Sequence, residues 1–324
     1  MSLTKTPASL VEASRVTRLD SHTYRAHLHQ AYCVAAVPNG GYVATTILRA
    51  ARLHLESRDQ TDTISAHWQF ANKTSVGPVI LSVEDAKLGR GLSVLHITLF
   101  QNDLLPQYPW VSPTSVKAAF AYITNGNIEK EEGVTLPSGW TLGPTPPPPV
   151  DLGKLSQGKD PNWTKWMHPL RPKIQSLQNV DLYLPRKGHP LKATHDVWVR
   201  LANGELWMQD DLGFLLDVGP PLIVESFRPP QGSDKVPEGG FAHSTWMWYP
   251  TIVASLEVKK RLPCAGVQWL RYRVVCKSIK NGRFDAEVLI FDIEGDLIAL
   301  SHHVAMAVGI ERNLKSKPKV EGKL

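Results

Sequence analysis

The sequence predicts an α+β protein built of two related halves, in each of which one helix packs against an antiparallel sheet. Three observations favour this architecture: a helical segment precedes four strand-like segments, the same order returns in the C-terminal half, and similar turn sequences separate corresponding strands. With 324 residues, of which 42% are apolar, the chain is long enough for two domains with hydrophobic cores.

The first half is predicted to open with a strand and a buried helix. Residues 23–28 alternate as in a strand, and Pro38-Asn39-Gly40-Gly41 then breaks the chain. Residues 42–55 carry apolar side chains at helical spacing, with Asn39 as a natural N-cap. The strand-like segments that follow are 64–70, 79–86, 94–100 and 116–123.

A proline-rich segment is predicted to separate the halves. It contains Pro144-Thr145-Pro146-Pro147-Pro148-Pro149, a stiff stretch that cannot join the interior of a sheet. The expected organisation is therefore an N-terminal segment (1–20), a first repeat (21–135), a linker (136–175), a second repeat (176–310) and a basic tail (311–324).

The second half repeats the order of the first. Residues 195–201 are predicted as a strand and 206–218 as a helix that ends at Gly219-Pro220-Pro221. The later strands are predicted at 252–258, 269–277, 284–292 and 297–308.

Turn chemistry supports an internal duplication. Similar turn sequences lie between corresponding strands of the two halves: Lys87-Leu88-Gly89-Arg90-Gly91 in the first and Lys280-Asn281-Gly282-Arg283 in the second. At the next turn, Gln101-Asn102-Asp103 parallels Glu294-Gly295-Asp296. We infer that one structural unit occurs twice.

Three short motifs, in this order along the chain, resemble those of the type II acyl-CoA thioesterases. They are Pro38-Asn39-Gly40-Gly41-Tyr42, Asp217-Val218-Gly219-Pro220-Pro221 and Gly295-Asp296-Leu297-Ile298-Ala299. The resemblance spans about residues 23–308 and implies a double hot-dog fold. It also implies hydrolysis of acyl-CoA or carrier-bound acyl thioesters, without a metal or organic cofactor.

The resemblance also implies catalytic positions, all in the second repeat. An Asp, a Thr or Ser, and a Gln hold a water against the thioester carbonyl in that family. Carried over, they fall on Asp217, on Thr251 with Ser255 as the alternative, and on His303, which replaces the glutamine. Because imidazole can carry a proton near neutral pH, the histidine at position 303 is the difference from the family pattern that most affects the chemistry. Alternatively, His303 is a hydrogen-bonded core histidine without a catalytic role.

Local patterns separate these positions from similar residues nearby. Asp210 and Asp211 precede the predicted helix and suit a capping role better than a catalytic one. His302 and His303 are neighbours on a strand and point to opposite faces, so they are a poor pair of metal ligands.

Substrate-binding residues are predicted around this site. The turn Asn39-Gly40-Gly41 at a helix N-terminus could offer backbone N–H groups to the oxyanion, or simply allow close packing. The aromatic residues expected to wall the acyl pocket, or alternatively to fill the core, are Trp246, Trp248 and Tyr249, with His67 and Trp68 in the first half.

Composition and missing motifs exclude other classes of protein. No segment has the apolar core of a signal peptide or the length of a membrane span, so we expect an intracellular protein without a membrane partner. Three cysteines without CxxC spacing argue against disulfides and structural zinc. The absence of Gly-x-Ser-x-Gly, Walker and Gly-x-Gly-x-x-Gly motifs argues against serine hydrolases, ATPases and dehydrogenases.

Charge and the C-terminus bear on partners and location. The net charge of +6 is compatible with an anionic ligand, but no recognition motif accompanies it, so no nucleic-acid partner is expected. Glu321-Gly322-Lys323-Leu324 partly resembles the peroxisomal Ser-Lys-Leu signal, which leaves the cytoplasm as the expected location and the peroxisome as an alternative. Homo-oligomerisation is left open.

Two other functions fit the same sequence. One is a related hot-dog enzyme of secondary, polyketide-like metabolism that catalyses cyclisation, dehydration or acyl release, with His303 as acid and base. The other is a non-catalytic protein that binds an acyl group. Fold alone does not decide among these functions.

Overall fold

The computed structural model describes residues 8–143, 146–167, 171, 174–229 and 233–314. Pro144 and Thr145 of the proline run lie outside these residues, as do 1–7 of the predicted N-terminal segment and 315–324 of the predicted tail. The parts of the predicted linker at 168–170 and 172–173 also lie outside them.

The first half contains one long helix and a meander of long strands, as predicted. Its elements are α1 (Leu10–Ala13), β1 (Val16–Arg18), β2 (Thr23–Leu28), β3 (Cys33–Val34), β4 (Val37–Pro38), α2 (Gly40–Leu55), β5 (Asp62–Phe70), β6 (Gly77–Leu88), β7 (Ser93–Gln101) and β8 (Val116–Gly126). Most of α2 is buried, because it packs on the sheet along one side and on the second half along another.

The second half has the same plan with shorter helices. Its elements are α3 (Leu152–Ser156), β9 (Trp163–Lys165), α4 (Gln175–Gln178), β10 (Val180–Pro185), β11 (Thr194–Leu201), α5 (Leu212–Val218), α6 (Pro220–Glu225), β12 (Met247–Trp248), β13 (Thr251–Val258), β14 (Leu270–Val275), β15 (Ile279–Lys280), β16 (Arg283–Phe291), β17 (Leu297–Met306), β18 (Val308–Gly309) and α7 (Glu311–Leu314).

Both halves contribute to a single 14-stranded antiparallel sheet. Its order is β1-β2-β6-β7-β8-β5-β13-β17-β16-β14-β11-β10-β9, with β15 paired to β16. The order β2-β6-β7-β8-β5 in the first half is mirrored by β11-β14-β16-β17-β13 in the second, and β5 pairs with β13 at the centre. This symmetry is the arrangement that an internal duplication produces, and the predicted two-repeat α+β fold is confirmed.

The helices of the two halves meet at two glycines. A Cβ atom on Gly41 of α2 would lie 2.6 Å from the carbonyl oxygen of Gly213 in α5. A Cβ on Gly213 would lie 2.7 Å from the backbone nitrogen of Thr45. Since real Cβ contacts are longer than these distances, only glycine at both positions allows α2 and α5 to approach so closely.

The structure corrects the prediction of one helix over 206–218. Trp207 instead forms a bridge with Val267, and regular helix begins only at Leu212, after a 3₁₀ turn at Gln209–Asp211. The prediction that the helix ends at Gly219 is only partly right, because α5 ends there but α6 begins directly at Pro220. Proline is compatible with the first turn of a helix, where its missing N–H has no helical partner.

The proline-rich linker contributes more structure than the sequence suggested. It contains α3, and its strand β9 pairs with β10 at the edge of the sheet. Around them a second hydrophobic cluster forms, made of Leu155, Trp163, Tyr183, Trp198 and Trp269. The strand β10, which the sequence analysis did not predict, links this cluster to the main sheet.

None of the helices in the described part of the chain combines the length and the apolar character that crossing a membrane requires. The three cysteines are free, with Cys33 buried and Cys264 exposed.

Candidate active site

The carboxylate of Asp217 joins the two halves of the molecule. Its Oδ2 accepts hydrogen bonds from the N–H of Gly41, at 2.9 Å, and from the side-chain amide of Asn39, at 3.0 Å. Its Oδ1 accepts a hydrogen bond of 2.7 Å from the hydroxyl of Thr251. One side chain of α5 is therefore held by the start of α2 and the start of β13.

Local sequence explains why this carboxylate fits at the start of α2. Asn39 caps the helix by accepting a hydrogen bond from the N–H of Tyr42, and this orients its amide nitrogen toward Asp217. A Cβ on Gly41 would lie 2.6 Å from the Cβ of Asp217, so glycine is needed here. The positive end of the helix dipole favours the negative charge.

Burial sets the protonation of Asp217. Removal from water raises its pKa to about 6, whereas the hydrogen bonds from Thr251, Gly41 and Asn39 act in the opposite direction. At pH 7 the group is mostly ionised, yet it binds a proton more readily than an exposed aspartate does. These properties suit a general base.

The predicted oxyanion role of the turn Asn39-Gly40-Gly41 is only partly compatible with this geometry. The N–H of Gly41 and the amide of Asn39 are engaged by Asp217 itself. Gly40 lines the cavity beside Asp217, and among the described residues nothing accepts a hydrogen bond from its N–H. The turn therefore anchors the carboxylate, and Gly40 is the residue of the turn whose N–H is not engaged by Asp217.

Of the two hydroxyl candidates, the structure brings Thr251 to Asp217 and places Ser255 elsewhere. The Ser255 hydroxyl accepts a hydrogen bond of 3.3 Å from the N–H of His302, on the exposed side of the sheet. A bulge between Thr251 and Val253 shifts the register of β13 at the point where Thr251 turns toward Asp217.

His303 lies beside Asp217 but lines neither cavity described below. Its Nδ1 is 3.9 Å from Oδ1 of Asp217, and its Nε2 is 2.9 Å from the Ser301 hydroxyl. Nδ1 is buried without a hydrogen-bond partner in the described chain. Burial, with a smaller effect of His302, lowers the pKa of His303 to about 3, so the ring is neutral at pH 7.

The neighbouring acidic residues have structural partners. Asp211 accepts a hydrogen bond of 2.9 Å from the N–H of Met208 and pairs with Arg49 at 2.8 Å. Asp210 pairs with Arg52 at 3.2 Å. Both carboxylates therefore tie α2 to the turn before α5, in line with the predicted structural role.

Two cavities meet at Asp217. The larger one, about 240 Å³, is also lined by Gly40, Lys73, Trp248 and Thr251. The smaller one, about 60 Å³, runs along α5 and α6 and is mostly apolar. A still larger groove of about 840 Å³ lies beside Lys260 and Trp269 and does not include Asp217, so size alone does not identify the site.

The predicted aromatic wall is only partly present. Trp248 and Tyr249 line the cavities, but Trp246 is outside their described lining. Trp68 is fully buried in the row Trp68–Ala254–His303 across three strands. The prediction for His67 is wrong, because the alternation of β5 places its side chain on the exposed face of the sheet, opposite Trp68.

A buried charged group that the sequence analysis missed lies in the smaller cavity. Glu225 pairs with Arg228, whose Nη2 lies 2.9 Å from Oε1 of Glu225, and the Tyr249 hydroxyl donates to the same oxygen. The two charged side chains expose less than a tenth of their surface. Their only signal in the sequence is a Glu and an Arg three residues apart in an apolar segment.

One cluster among the described residues has the composition of a metal site. His22, His54 and Asp85 have ligand atoms within 4.8 Å of one another, at the opposite end of α2 from Asp217. Each histidine already has both ring nitrogens in hydrogen bonds, to Asp85 and to the hydroxyls of Ser21 and Tyr24. These hydrogen bonds join the cluster to β2 and α2.

Comparison with known proteins agrees with this geometry. Residues 28–125 match the family model of the acyl-CoA thioesterase N-terminal domain, and residues 146–307 match that of the acyl-CoA thioesterase C-terminal domain. The thioesterase-like protein TwmA of Talaromyces wortmannii is 39% identical over 326 aligned positions, which cover 94% of each chain.

Solved structures show the same fold. A hot-dog protein of unknown function from Alicyclobacillus acidocaldarius superposes with a TM-score of 0.69 at 17% identity, over 93% of this chain and 98% of that one. The tesB protein of Mycobacterium avium subspecies paratuberculosis gives 0.65 at 15% identity, over 94% and 100%. The chain therefore belongs to the acyl-CoA thioesterase family and has its double hot-dog fold.

Proposed function

We propose that this protein hydrolyses acyl thioesters of CoA, or of a carrier-bound pantetheine, with a water molecule that Asp217 activates. One observation supports the role of Asp217 above the others. Its carboxylate is buried, anchored at both oxygens by neutral donors, and reached by two cavities. A carboxylate held in this way is costly for folding, and such groups are typical of functional sites.

The reaction needs little besides a base and an oxyanion donor. Oδ1 of Asp217 accepts a proton from water as the water oxygen attacks the thioester carbonyl carbon. The N–H of Gly40, a residue that lines the cavity at the start of α2, donates to the oxygen that becomes negative. Collapse of the tetrahedral intermediate breaks the C–S bond, and the thiolate takes the proton from Asp217 or from solvent.

Thr251 contacts both the base and the cavity. Its hydroxyl donates to Oδ1 of Asp217, so its oxygen lone pairs can accept a hydrogen bond from the attacking water. The hydroxyl thus sets the angle at which the water meets the base.

His303 acts through Asp217 and not on the substrate. Its side chain is fully buried, and its neutral ring packs against Oδ1 of Asp217 from within the sheet. In this proposal it is a positioning residue that limits the movement of the carboxylate. A neutral amide in place of the ring could do the same, which accounts for the histidine in the glutamine position.

In this proposal the two cavities bind different parts of the substrate. The larger one, with Lys73 packed over the ring of Trp248, suits the polar pantetheine arm. The smaller, apolar one suits the acyl chain. The thioester carbonyl then lies where the cavities meet, at Asp217 and Gly40.

Thiol release from a panel of acyl-CoA substrates tests the proposal. We expect hydrolysis by the wild type and its loss in Asp217→Asn, because the amide cannot accept the proton. Asp211→Asn is the matched control, since Asp211 is also buried near the start of α5 but pairs with Arg49. Absence of thiol release from every substrate would overturn the proposal.

A further inference from the structure

We infer that the smaller cavity contains a subsite for a hydroxyl group on the acyl chain, formed by Glu225, Arg228 and Tyr249. This inference rests on the proposed function, because it takes the smaller cavity as the place of the acyl chain. Nothing in the reaction at Asp217 requires these three side chains, so their presence in the cavity needs a separate explanation.

One face of a nearly continuous helix leads from Asp217 to this subsite. Gly219, between α5 and α6, keeps helical backbone angles of −78° and −43°. The side chains that line the cavity follow the spacing of one helical face: Phe214, Asp217, Val218, Pro221, Leu222 and Glu225. Glu225 lies eight residues after Asp217, which is about 12 Å along a helix.

The three side chains form a buried polar group at the end of α6, in a cavity whose lining is mostly apolar. Arg228 contacts Glu225 through Nε and Nη2, and its Nη1 donates to the carbonyl oxygen of Ala242 at 2.8 Å. Tyr249 completes the group by donating its hydroxyl to Glu225. Burial and the charge of Glu225 raise the pKa of Tyr249 far above its usual range, so the phenol keeps its proton.

This chemistry fits a hydroxyl better than a methyl or a keto group. A hydroxyl can donate to Glu225 and accept from the second N–H of Arg228 Nη2, whereas a keto oxygen can only accept. A terminal methyl group would exclude water from the Glu225–Arg228 pair without making a hydrogen bond to either residue. Sites that hydrogen-bond a substrate hydroxyl discriminate strongly against analogues that lack it.

The test compares pairs of acyl-CoA substrates of equal length, with and without a terminal hydroxyl, from butanoyl to dodecanoyl. We expect kcat/KM to favour the hydroxylated member by about tenfold to a hundredfold at the length that reaches Glu225, as for one hydrogen bond to a charged group. The double variant Glu225→Leu/Arg228→Met should abolish this preference, and Tyr249→Phe should reduce it.

A matched control comes from the exposed pair Glu12–Arg15, which has the same three-residue spacing. Glu12→Leu/Arg15→Met should keep the preference of the wild type. Equal rates for both substrate series, or a preference that survives the Glu225/Arg228 double variant, would overturn the subsite. If the double variant does not fold, the wild-type comparison and Tyr249→Phe still decide. Failure of the proposed function looks different, because neither series would then release thiol.

Discussion

Asp217→Asn removes one buried negative charge and leaves a side chain of nearly the same shape. The free energy of unfolding should therefore respond in a pH-dependent way. The carboxyl binds a proton more tightly in the folded chain, with a pKa of about 6 instead of 3.8. Because each tenfold change in proton affinity is worth about 1.4 kcal/mol, the ionised form destabilises the fold by up to about 3 kcal/mol.

The sign of the pH dependence follows from linkage. Below pH 3.8 the carboxyl is protonated in the folded and unfolded states, and the charge costs nothing. As the pH rises to about 6, the unfolded state releases its proton first, so the wild type loses stability relative to Asp217→Asn. Above pH 6 the difference should stay constant.

Urea unfolding of both proteins at a series of pH values measures this difference. Asp103→Asn, on an exposed turn, controls for the loss of a carboxyl group as such. Because Asp217→Asn also removes one hydrogen-bond acceptor, only the pH-dependent part of the difference is diagnostic. A difference that does not shift in favour of the variant between pH 3.8 and 6 would show that burial does not raise the pKa of Asp217.

Further predictions concern activity and packing around the same carboxylate. kcat/KM should rise with pH through about 6, as Asp217 ionises, and a pH–rate profile checks this. Thr251→Val should lower kcat by about tenfold to a hundredfold, from the loss of one hydrogen bond to a charged group, and Thr251→Ser should restore most of it. His303→Gln should keep the pH midpoint near 6, whereas His303→Leu should raise it by making the surroundings of Asp217 more apolar. Gly41→Ala should lower the free energy of unfolding by about 1–3 kcal/mol, measured in urea, because its Cβ would overlap Gly213.

Local patterns in the sequence were enough for the scaffold. Alternation and turn chemistry are short-range properties, so β2 was predicted at its observed bounds and the four long strands of each half in their observed order. The same periodicity predicted that His302 and His303 point to opposite faces, which the structure confirms with one exposed and one buried side chain.

Other features depend on contacts that no local pattern encodes. Asp217 and Gly41 are 176 residues apart, and their hydrogen bond exists only because two glycines let α2 and α5 meet. The edge strand β9 is short and gains its order from pairing with β10. Glu225 looks like an ordinary helix-end residue until the fold buries it beside Tyr249.

In the proposed mechanism Asp217 activates water and forms no covalent acyl-enzyme. A single turnover of acyl-CoA in water labelled with oxygen-18 tests it most directly, with mass spectrometry of the acid product and of the peptide that contains Asp217. Activation of water by Asp217 should give one labelled oxygen in the acid and an unlabelled Asp217. An unlabelled acid after the first turnover, with the heavy oxygen in Asp217, would contradict it.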